Sequence, residues 1–195
     1  MPRIPHNSLL DALPALSMTG KRNALTIEGF HRAGVLVPLI LGKGNGELLF
    51  TKRTEEVETH KGQIAFPGGV ADRSDNDIVH TALRESREEL GIDSALVSVR
   101  GLLDDLAVPS GFIITPVVGT LEGLPTLALN PAEVAEVFTV PVEFFRNPSN
   151  GRSELRDFRG ISREVWFYEH DGYNIWGATA MIVRLLLLKL GLVKV

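Results

Sequence analysis

Three glutamates crowd one short stretch of the chain, where Glu85, Glu88 and Glu89 fall within five consecutive residues. In an α-helix with about 3.6 residues per turn, positions i, i+3 and i+4 lie on one face, so the three side chains project toward one point. Carboxylates this close resist sharing the ionised state unless a cation neutralises them. Because oxygen-only ligands favour magnesium, manganese or calcium over zinc, the spacing predicts a site for a hard divalent cation.

A mixed run of charges such as 84–89 is more often a solvated helix face, whose i,i+3 and i,i+4 pairs contribute only a few tenths of a kcal/mol. The surrounding residues favour the functional interpretation here. A turn, Phe66-Pro67-Gly68-Gly69, precedes an acidic stretch containing Asp72, Asp75 and Asp77, and Gly91 ends the predicted helix. Gly68 and Gly69 allow positive φ and close approach of a ligand, as a turn beside a diphosphate requires, although an ordinary turn remains the alternative.

This assembly resembles the Nudix box, a pattern that runs from a glycine to an Arg-Glu-hydrophobic-any-Glu-Glu-any-Gly-hydrophobic segment. Gly69 takes the opening position, and the second half is matched in register by Arg84, Glu85, Glu88, Glu89, Gly91 and Ile92. Asp75 stands where the pattern has its first glutamate, and the stretch from it to Arg84 is one residue too long. Ser86 replaces the expected apolar residue. The resemblance implies an α/β fold of the α+β type, an α/β/α sandwich with a mixed sheet and a loop-helix-loop box.

A narrower resemblance is to the coenzyme A pyrophosphatase branch of the Nudix hydrolases. That branch has a leader upstream of the box, which is matched here by 48–53 and by 60–69. Glu58 occupies the position of the leader's arginine, and this reversed charge bears on the identity of the substrate. Segments 101–105, 109–119 and 175–180 also look like this branch, so the resemblance runs from about Arg32 to about Leu190.

The resemblance implies attack of water on phosphorus in a diphosphate linkage. Glu85, Glu88 and Glu89 are the expected ligands of one or more Mg2+ or Mn2+ ions, which offset the developing charge. Arg84 is expected to orient a box carboxylate rather than to transfer a proton. The implied substrate is coenzyme A or a derivative, cut to 4'-phosphopantetheine and adenosine 3',5'-bisphosphate.

Several residues outside the glutamates are candidates for binding such a substrate. Lys52 and Arg53 are basic residues able to reach a phosphate, and His60 can contact phosphate when protonated or pack neutrally against the glycine turn. Phe112 and Trp176 can stack on an adenine or belong to the core. The general base stays open between Glu88 and four carboxylates elsewhere, which are Asp104, Asp105, Glu133 and Glu136.

Two other functions remain open at this point. One is a Nudix hydrolase of another compound, such as ADP-ribose, NADH, a dinucleoside polyphosphate or a nucleoside triphosphate, which Glu58 keeps in consideration. The other is a binding module that holds a nucleotide or coenzyme without cleaving it. Retention of all three box glutamates disfavours the binding module, since a chain without catalysis would be free to lose them.

Composition limits the class of protein. The chain has 195 residues, of which 44% are hydrophobic and 23% charged, so 1–195 is predicted to form one domain with a full core. Residues 1–30 form an N-terminal extension on or near it. The absence of cysteine excludes disulfides, thiolate metal sites and a cysteine nucleophile, and fits a reducing compartment. A net charge of -4 gives no global attraction to nucleic acid, which is not expected as a partner. A homodimer is expected from the resemblance alone.

No segment predicts stable insertion into a membrane. The most apolar run, 181–195, contains Arg184 and Lys189 and falls short of the roughly 20 apolar residues that a bilayer requires. Asp11 and Pro14 interrupt the only candidate for a secretory signal. The expected location is cytoplasmic, with an organelle presequence left open because the first 30 residues are basic and poor in acids.

The elements that must position these residues follow from the patterns along the chain. Apolar runs predict a hairpin of strands at 33–41 and 47–51, a short strand at 64–66, and strands at 95–103, 113–121 and 165–170. The box helix is predicted at 77–90, with Ile78, Ala82, Ser86 and Leu90 on its buried stripe. A short helix is expected at 142–146 and a closing helix at 176–192. Residues 147–160 are polar and contain glycine, which predicts a loop, and Asp171-Gly172 predicts a turn.

Overall fold

Two β-sheets and two long helices make up the part of the chain that the computed structural model describes, which is residues 9–18, 21–42, 46–56, 61–158 and 160–194. The helices are α1 (Leu9–Ala12), α2 (Ile78–Leu90), α3 (Val142–Arg146) and α4 (Gly177–Lys189). The strands are β1 (His31–Ile40), β2 (Glu47–Arg53), β3 (Ile64–Ala65), β4 (Gly68–Val70), β5 (Ser98–Leu102), β6 (Leu106–Val108), β7 (Phe112–Leu121), β8 (Val134–Pro141), β9 (Gly151–Phe158), β10 (Ile161–His170) and β11 (Tyr173–Trp176).

The first sheet is mixed and has eight strands. Its main order is β3-β2-β1-β7-β5, while β4 pairs with β1, β6 with β7 and β8 with β2. β1 and β7 run parallel over ten residues, and the other pairs are antiparallel. The predicted hairpin of β1 and β2 is confirmed, with Leu39 opposite Leu48.

The two long helices cover opposite faces of this sheet. On β1, Leu36 packs with Ala82 of α2, whereas Val37 and Leu39 belong to the large cluster that contains most of α4. Since neighbouring side chains of a strand point to opposite faces, this alternation places α2 on one side and α4 on the other. β2 repeats the pattern, because Leu49 packs with the end of α2 and its neighbour Phe50 packs in the α4 cluster.

Helix α2 begins and ends at residues whose side chains suit those positions. The Asp77 carboxylate accepts a hydrogen bond from His80 N at 2.8 Å, and Gly91 closes the helix in the left-handed conformation with φ of 70°. Ala82, Ser86 and Leu90 of the predicted stripe are buried, while Ile78 is half-buried. The box helix is therefore confirmed to within one residue.

The prediction of a loop at 147–160 is wrong. A short 3-10 turn at Pro148–Asn150 leads into β9, which pairs with β10 along its whole length in a second sheet of order β11-β10-β9. Most β9 side chains are exposed, so no alternation of apolar and polar residues marks the strand in the sequence. Its extended conformation is stabilised by backbone pairing with β10, a contact that its own residue types do not encode.

The N-terminal segment packs against the rest of the described chain. Leu9, Ala12 and Leu16 are buried in the same cluster as α4. Further along, Asp105 accepts hydrogen bonds from Leu25 N and from Thr115 Oγ1 at 2.9 and 2.7 Å. Among the helices in the described ranges, none has the length and apolar character needed to cross a membrane.

Candidate active site

The box helix lies against the glycine turn at β4. A side chain at Gly69 would meet the Glu85 carboxylate, because a Cβ there would lie 2.5 Å from Cδ of Glu85. Gly68 has φ of 155°, and a Cβ on it would lie 2.4 Å from the Gly34 carbonyl oxygen. Its N–H donates to Oε2 of Glu89 at 3.3 Å. The two glycines therefore bring backbone without side chains close to the carboxylates of Glu85 and Glu89. A turn that binds a ligand needs such a close approach.

Arg84 connects the loop before the helix to two of the three glutamates. Its Nη1 donates to Oε1 of Glu85 at 2.8 Å and to Oε2 of Glu88 at 3.0 Å. Its Nε and Nη2 donate to the two carboxylate oxygens of Asp75 at 2.9 and 3.0 Å. The two hydrogen bonds to Asp75 fix the guanidinium of Arg84 in place. Arg84 therefore sets the orientation of the Glu85 and Glu88 carboxylates.

Asp75 is half-buried as a residue, but only 2% of its side chain is exposed. Arg84 donates to it twice, and Asp72 N and Thr81 Oγ1 donate to its Oδ2, each at 2.9 Å. These contacts, led by the hydrogen bonds from Arg84, hold the pKa of the Asp75 carboxyl well below its usual range. The same pair raises the pKa of Arg84, so both groups stay charged at any physiological pH.

Glu89 lies in the least hydrated environment of the three glutamates. Only 5% of its side chain is exposed, against 17% for Glu85 and 55% for Glu88. Burial, followed by the negative charge of Glu133, raises the pKa of Glu89 to about 8. Burial also raises the pKa of Glu85. Ionising Glu89 in this place is unfavourable without a nearby positive charge.

Among the residues that the structure describes, Arg53 is the basic residue that forms an ion pair with Glu89. Its Nη1 lies 4.0 Å from Oε1 of Glu89, and its Nε is buried without a hydrogen-bond partner among the described residues. Lys52 precedes it on β2, and strand alternation places Lys52 on the face of Phe50, toward α4. Of the two predicted basic contacts, the structure brings only Arg53 to the box helix.

The remaining predicted contacts lie elsewhere. Phe112 begins β7, two strands from β4, and its ring tilts against His31 with centroids 5.8 Å apart. Trp176 lies just before α4 and stacks on Phe167 of the second sheet. His60 and Glu58 fall outside the described residues.

The four carboxylates considered as a base outside the helix differ in their surroundings. Asp104 accepts from Asn23 N at 2.8 Å, and the Asp105 carboxylate is buried between Arg22 and Arg32. Glu136 accepts from the hydroxyl of Tyr173. Glu133 is the one that raises the pKa of Glu89 by its charge, and its Oε1 accepts from Nδ2 of Asn130 at 2.9 Å.

A cleft of about 490 Å3 opens beside the helix. It is lined by Val70, Ala71, Asp72, Ser74, Arg84, Glu85 and Glu88. Within the described ranges, no three carboxylate or imidazole side chains are placed so that they could together hold a metal ion. The chemistry of the donors nevertheless suits Mg2+ or Mn2+, because they are all oxygens, buried Glu89 needs a compensating charge, and Mg2+ keeps several of its own waters.

The chain is similar in sequence to known proteins. The family model of the NUDIX domain matches residues 30–159. The chain is 42% identical over 154 residues to a protein of Photorhabdus laumondii described as an uncharacterized Nudix hydrolase, NudL, covering 79% of this chain and 82% of that one. A protein of the same description from Yersinia pestis is 38% identical over 154 residues, covering 79% and 77%. The chain belongs to the Nudix hydrolase family.

Solved structures agree on the fold. A Nudix hydrolase from M. smegmatis, RenU, superposes with a TM-score of 0.50 at 22% identity, over 60% of this chain and 74% of that one. A MutT/nudix family protein from Enterococcus faecalis gives a TM-score of 0.52 at 16% identity, over 83% and 62%. These likenesses confirm the predicted Nudix fold with its mixed sheet, in which the Nudix box is the segment from Gly69 to Ile92.

Two residues of the Nudix box environment were not assigned their roles from the sequence. Asp75 stands at the position of the first box glutamate in the sequence, and the structure makes it the partner that fixes Arg84. Asn130 has no role predicted from the sequence, yet its N–H donates to the carbonyl oxygen of Glu89 at 2.9 Å and its side-chain amide donates to Glu133. The sequence feature that could have indicated this role of Asp75 is the run of aspartates before Arg84 and Glu85. Nothing in the sequence links Asn130 to a helix about 40 residues away.

Proposed function

We propose that this Nudix hydrolase cleaves a diphosphate linkage in a nucleoside diphosphate derivative, and that its substrate is coenzyme A or a coenzyme A derivative. The observation that carries the reaction is the meeting of Glu85 and Glu89 with the side-chain-free backbone at Gly68 and Gly69. Hydrolysis breaks one P–O bond of the linkage and adds the elements of water, giving 4'-phosphopantetheine and adenosine 3',5'-bisphosphate. We also propose that 1–195 acts as one catalytic domain.

The residues in and around the Nudix box have different proposed roles, because their environments differ. Glu85, Glu88 and Glu89 would hold Mg2+ or Mn2+, and the bound ion supplies positive charge that offsets the charge developing on the diphosphate oxygens. Arg84 orients the Glu85 and Glu88 carboxylates through its own anchor on Asp75. Arg53, whose side chain is 24% exposed beside Glu89, is suited to a phosphate oxygen of the substrate.

The choice of base falls between Glu88 and Glu133. Of the four carboxylates outside the helix, Glu133 is the one close enough to Glu89 for its charge to raise the pKa there. Glu133 is held by Asn130, which also contacts the backbone of Glu89, so its carboxylate is fixed relative to the box helix. We propose Glu133 as the proton acceptor for the attacking water.

The coenzyme A assignment is supported by the sequence resemblance to that branch of the family, which includes the leader before Gly68 and the segments after the box. The main alternative is a different nucleoside diphosphate compound, because Glu58 replaces a branch arginine. The proteins compared above carry no substrate in their descriptions.

A substrate panel tests both levels of this proposal. The purified chain would be incubated with Mg2+ or Mn2+ and with coenzyme A, acetyl-coenzyme A, ADP-ribose, NADH, a diadenosine polyphosphate and nucleoside triphosphates, and the products identified by mass spectrometry. We expect release of 4'-phosphopantetheine from coenzyme A. Cleavage of another compound alone would reject the coenzyme A assignment and keep the reaction class, and no cleavage of any compound would reject both.

Variants separate the chemistry from the fold. Glu89→Gln and Glu85→Gln should each lower turnover by orders of magnitude while the far-ultraviolet circular dichroism stays unchanged. Arg87 lies exposed on the same helix, so Arg87→Gln is a matched control that should keep turnover. Equal turnover in Glu89→Gln and in the parent would remove Glu89 from the reaction.

A further inference from the structure

One face of the second sheet carries arginines stacked on aromatic rings. Phe167 on β10 has Arg152 directly opposite on β9 and Trp176 directly opposite on β11. The guanidinium carbons of Arg152 and Arg156 lie 4.3 and 4.8 Å from the centre of the Phe167 ring, and that of Arg156 lies 6.0 Å from the Trp176 ring. We call Arg152, Arg156, Phe167 and Trp176 the arginine–aromatic patch.

The stacking fixes the guanidinium planes while leaving their edges in water. Phe167 is only 4% exposed, whereas the Arg152 and Arg156 side chains are 53% and 44% exposed. A guanidinium held flat on a ring has lost part of its rotamer freedom before any ligand arrives, so each hydrogen bond to a ligand loses less entropy. This arrangement favours recognition of a group with several anionic oxygens.

The local charge remains positive after the neighbouring acids are counted. Glu154 accepts from both Arg152 and Arg156, and Glu169 lies 3.8 Å from Arg152. Arg163 stands opposite Arg156 in the register of β9 and β10. Three arginines against two glutamates leave one net positive charge on a chain whose overall charge is -4. Exposed Arg–Glu pairs contribute little to stability, so stability alone does not explain the cluster.

Two contacts place the second sheet beside the glycine turn. Arg163 Nη1 donates to the carbonyl oxygen of Ala107 on β6 at 2.8 Å. At the other end, Thr179 Oγ1, just after β11, donates to the carbonyl oxygen of Ile64 on β3 at 3.0 Å. Ile64 lies four residues before Gly68 in the chain, and Gly68 on β4 pairs with β1. The β11 end of the second sheet therefore lies beside the segment that leads into the glycine turn.

We propose that the arginine–aromatic patch binds a phosphate monoester of the substrate that lies away from the diphosphate being cut. This inference rests on the proposed function, because it assigns a second anionic subsite to the same substrate. In coenzyme A the matching group is the 3'-phosphate, whose three oxygens accept from the exposed edges of Arg152 and Arg156.

The kinetic test compares two substrates that differ only in this group, coenzyme A and 3'-dephospho-coenzyme A. In the double variant Arg152→Gln/Arg156→Gln, we expect the ratio of their kcat/KM values to fall about tenfold, the effect of losing charge-assisted hydrogen bonds to one group. The matched lysine variant, which keeps both charges, should recover part of the preference. Arg146 on α3 also pairs with a glutamate, so Arg146→Gln is the control and should keep the ratio.

A binding measurement keeps this proposal distinct from the proposed reaction. Adenosine 3',5'-bisphosphate and adenosine 5'-monophosphate would be titrated into the parent and the double variant by calorimetry, with thermal unfolding as a check of the fold. We expect tighter binding of the bisphosphate by the parent and loss of that difference in the variant. An equal affinity for both nucleotides in the parent, or equal loss for both in the variant, overturns the subsite. A preserved difference without any cleavage of coenzyme A would reject the reaction alone.

Discussion

Glu89 combines a negative charge with burial, and the glutamates beside it are more exposed. Its carboxyl accepts from Gly68 N and lies 4.0 Å from Arg53, yet burial and Glu133 outweigh both contacts and raise its pKa to about 8. A site that disfavours its own ionised carboxylate favours any ligand that restores positive charge. At the residue scale, this imbalance is the strongest physical support for a cation at the box.

The raised pKa of Glu89 predicts how stability depends on pH in the presence of a chelator. The folded chain binds this proton more tightly than the unfolded chain, so the free energy of unfolding should fall as pH rises from about 4.5 to about 8. One proton gives a slope of up to about 1.4 kcal/mol per pH unit. Urea unfolding at a series of pH values measures it. Glu89→Gln should flatten the slope over this range, and an identical slope in the variant would contradict the assignment.

The Asp75–Arg84 pair should be coupled far more strongly than an exposed pair. Since Asp75 is 2% exposed and held by two parallel hydrogen bonds, a double-mutant cycle of Asp75→Asn and Arg84→Gln should give a coupling of about 2 kcal/mol. Glu143 and Arg146 form the comparison, an i,i+3 pair whose glutamate side chain is 59% exposed and whose cycle should give about 0.3 kcal/mol. Chemical denaturation measures both cycles. Similar values for the two pairs would show that burial adds nothing at Asp75.

At the element scale, the glycines of β4 are packed so closely that a methyl group added at Gly68 or Gly69 would meet neighbouring atoms. Gly69 faces the Glu85 carboxylate, whereas Gly68 faces the backbone of β1 at Gly34 and Val35. A carboxylate at the end of a flexible side chain can move aside, but a strand in the middle of a sheet cannot. The same small substitution should therefore affect function at one glycine and folding at the other.

Gly69→Ala should reduce kcat by about a hundredfold with little loss of stability, because the new methyl group displaces the Glu85 carboxylate. Gly42→Ala is the matched control, since a Cβ there meets no atom within 4 Å. Gly68→Ala should instead lower the melting temperature strongly. Steady-state kinetics and thermal unfolding of the three variants check this, and full activity in Gly69→Ala would separate Glu85 from the reaction.

Ser86 gives a prediction about the buried stripe of α2. Its side chain occupies a position where the Nudix pattern has an apolar residue, it is 1% exposed, and its hydroxyl has no hydrogen-bond partner among the described residues. Ser86→Ala should raise the free energy of unfolding by about 1 kcal/mol, because it removes an unsatisfied buried group and favours the helix. Urea unfolding measures this. A destabilised variant would mean that the hydroxyl has a partner in solution.

At the scale of the whole molecule, Asp105 joins the N-terminal segment to the first sheet. Its buried carboxylate receives hydrogen bonds from Arg22, Leu25 N, Arg32 and Thr115. Burial pushes its pKa upward, but the hydrogen bonds, led by that from Thr115, outweigh burial and lower it. The stability that this group contributes is therefore present above the ordinary aspartate range, near pH 4, and is lost on stronger acidification.

Asp105→Asn should lower the free energy of unfolding by about 3 kcal/mol at neutral pH, since it leaves two arginines with an uncharged partner in a buried place. It should also expose the chain after Lys21 and Arg22 to trypsin. Denaturant unfolding and limited proteolysis measure the two effects. Asp104→Asn is the control and should change both much less, because the Asp104 carboxylate accepts one hydrogen bond from Asn23 N in an exposed place.

The sequence by itself determined the family, the box helix with its ends, and the hairpin of β1 and β2. It also predicts that Glu85, Glu88 and Glu89 bind a cation. These features are local, because helix periodicity, a capping aspartate and a closing glycine act over a few residues. The metal role of the glutamates stays a prediction, as does the substrate.

Only the tertiary structure decided which distant residues meet the box. It placed Arg53, Asn130 and Glu133 around Glu89, directed Lys52 to the other face, and showed that β9 is a strand although its residues are polar. It also stacked Arg152 and Arg156 on Phe167 across a strand pair. Each of these depends on pairing between segments far apart in the chain, where the free energy comes from burial and backbone hydrogen bonds shared by two elements rather than from the residue types of either one.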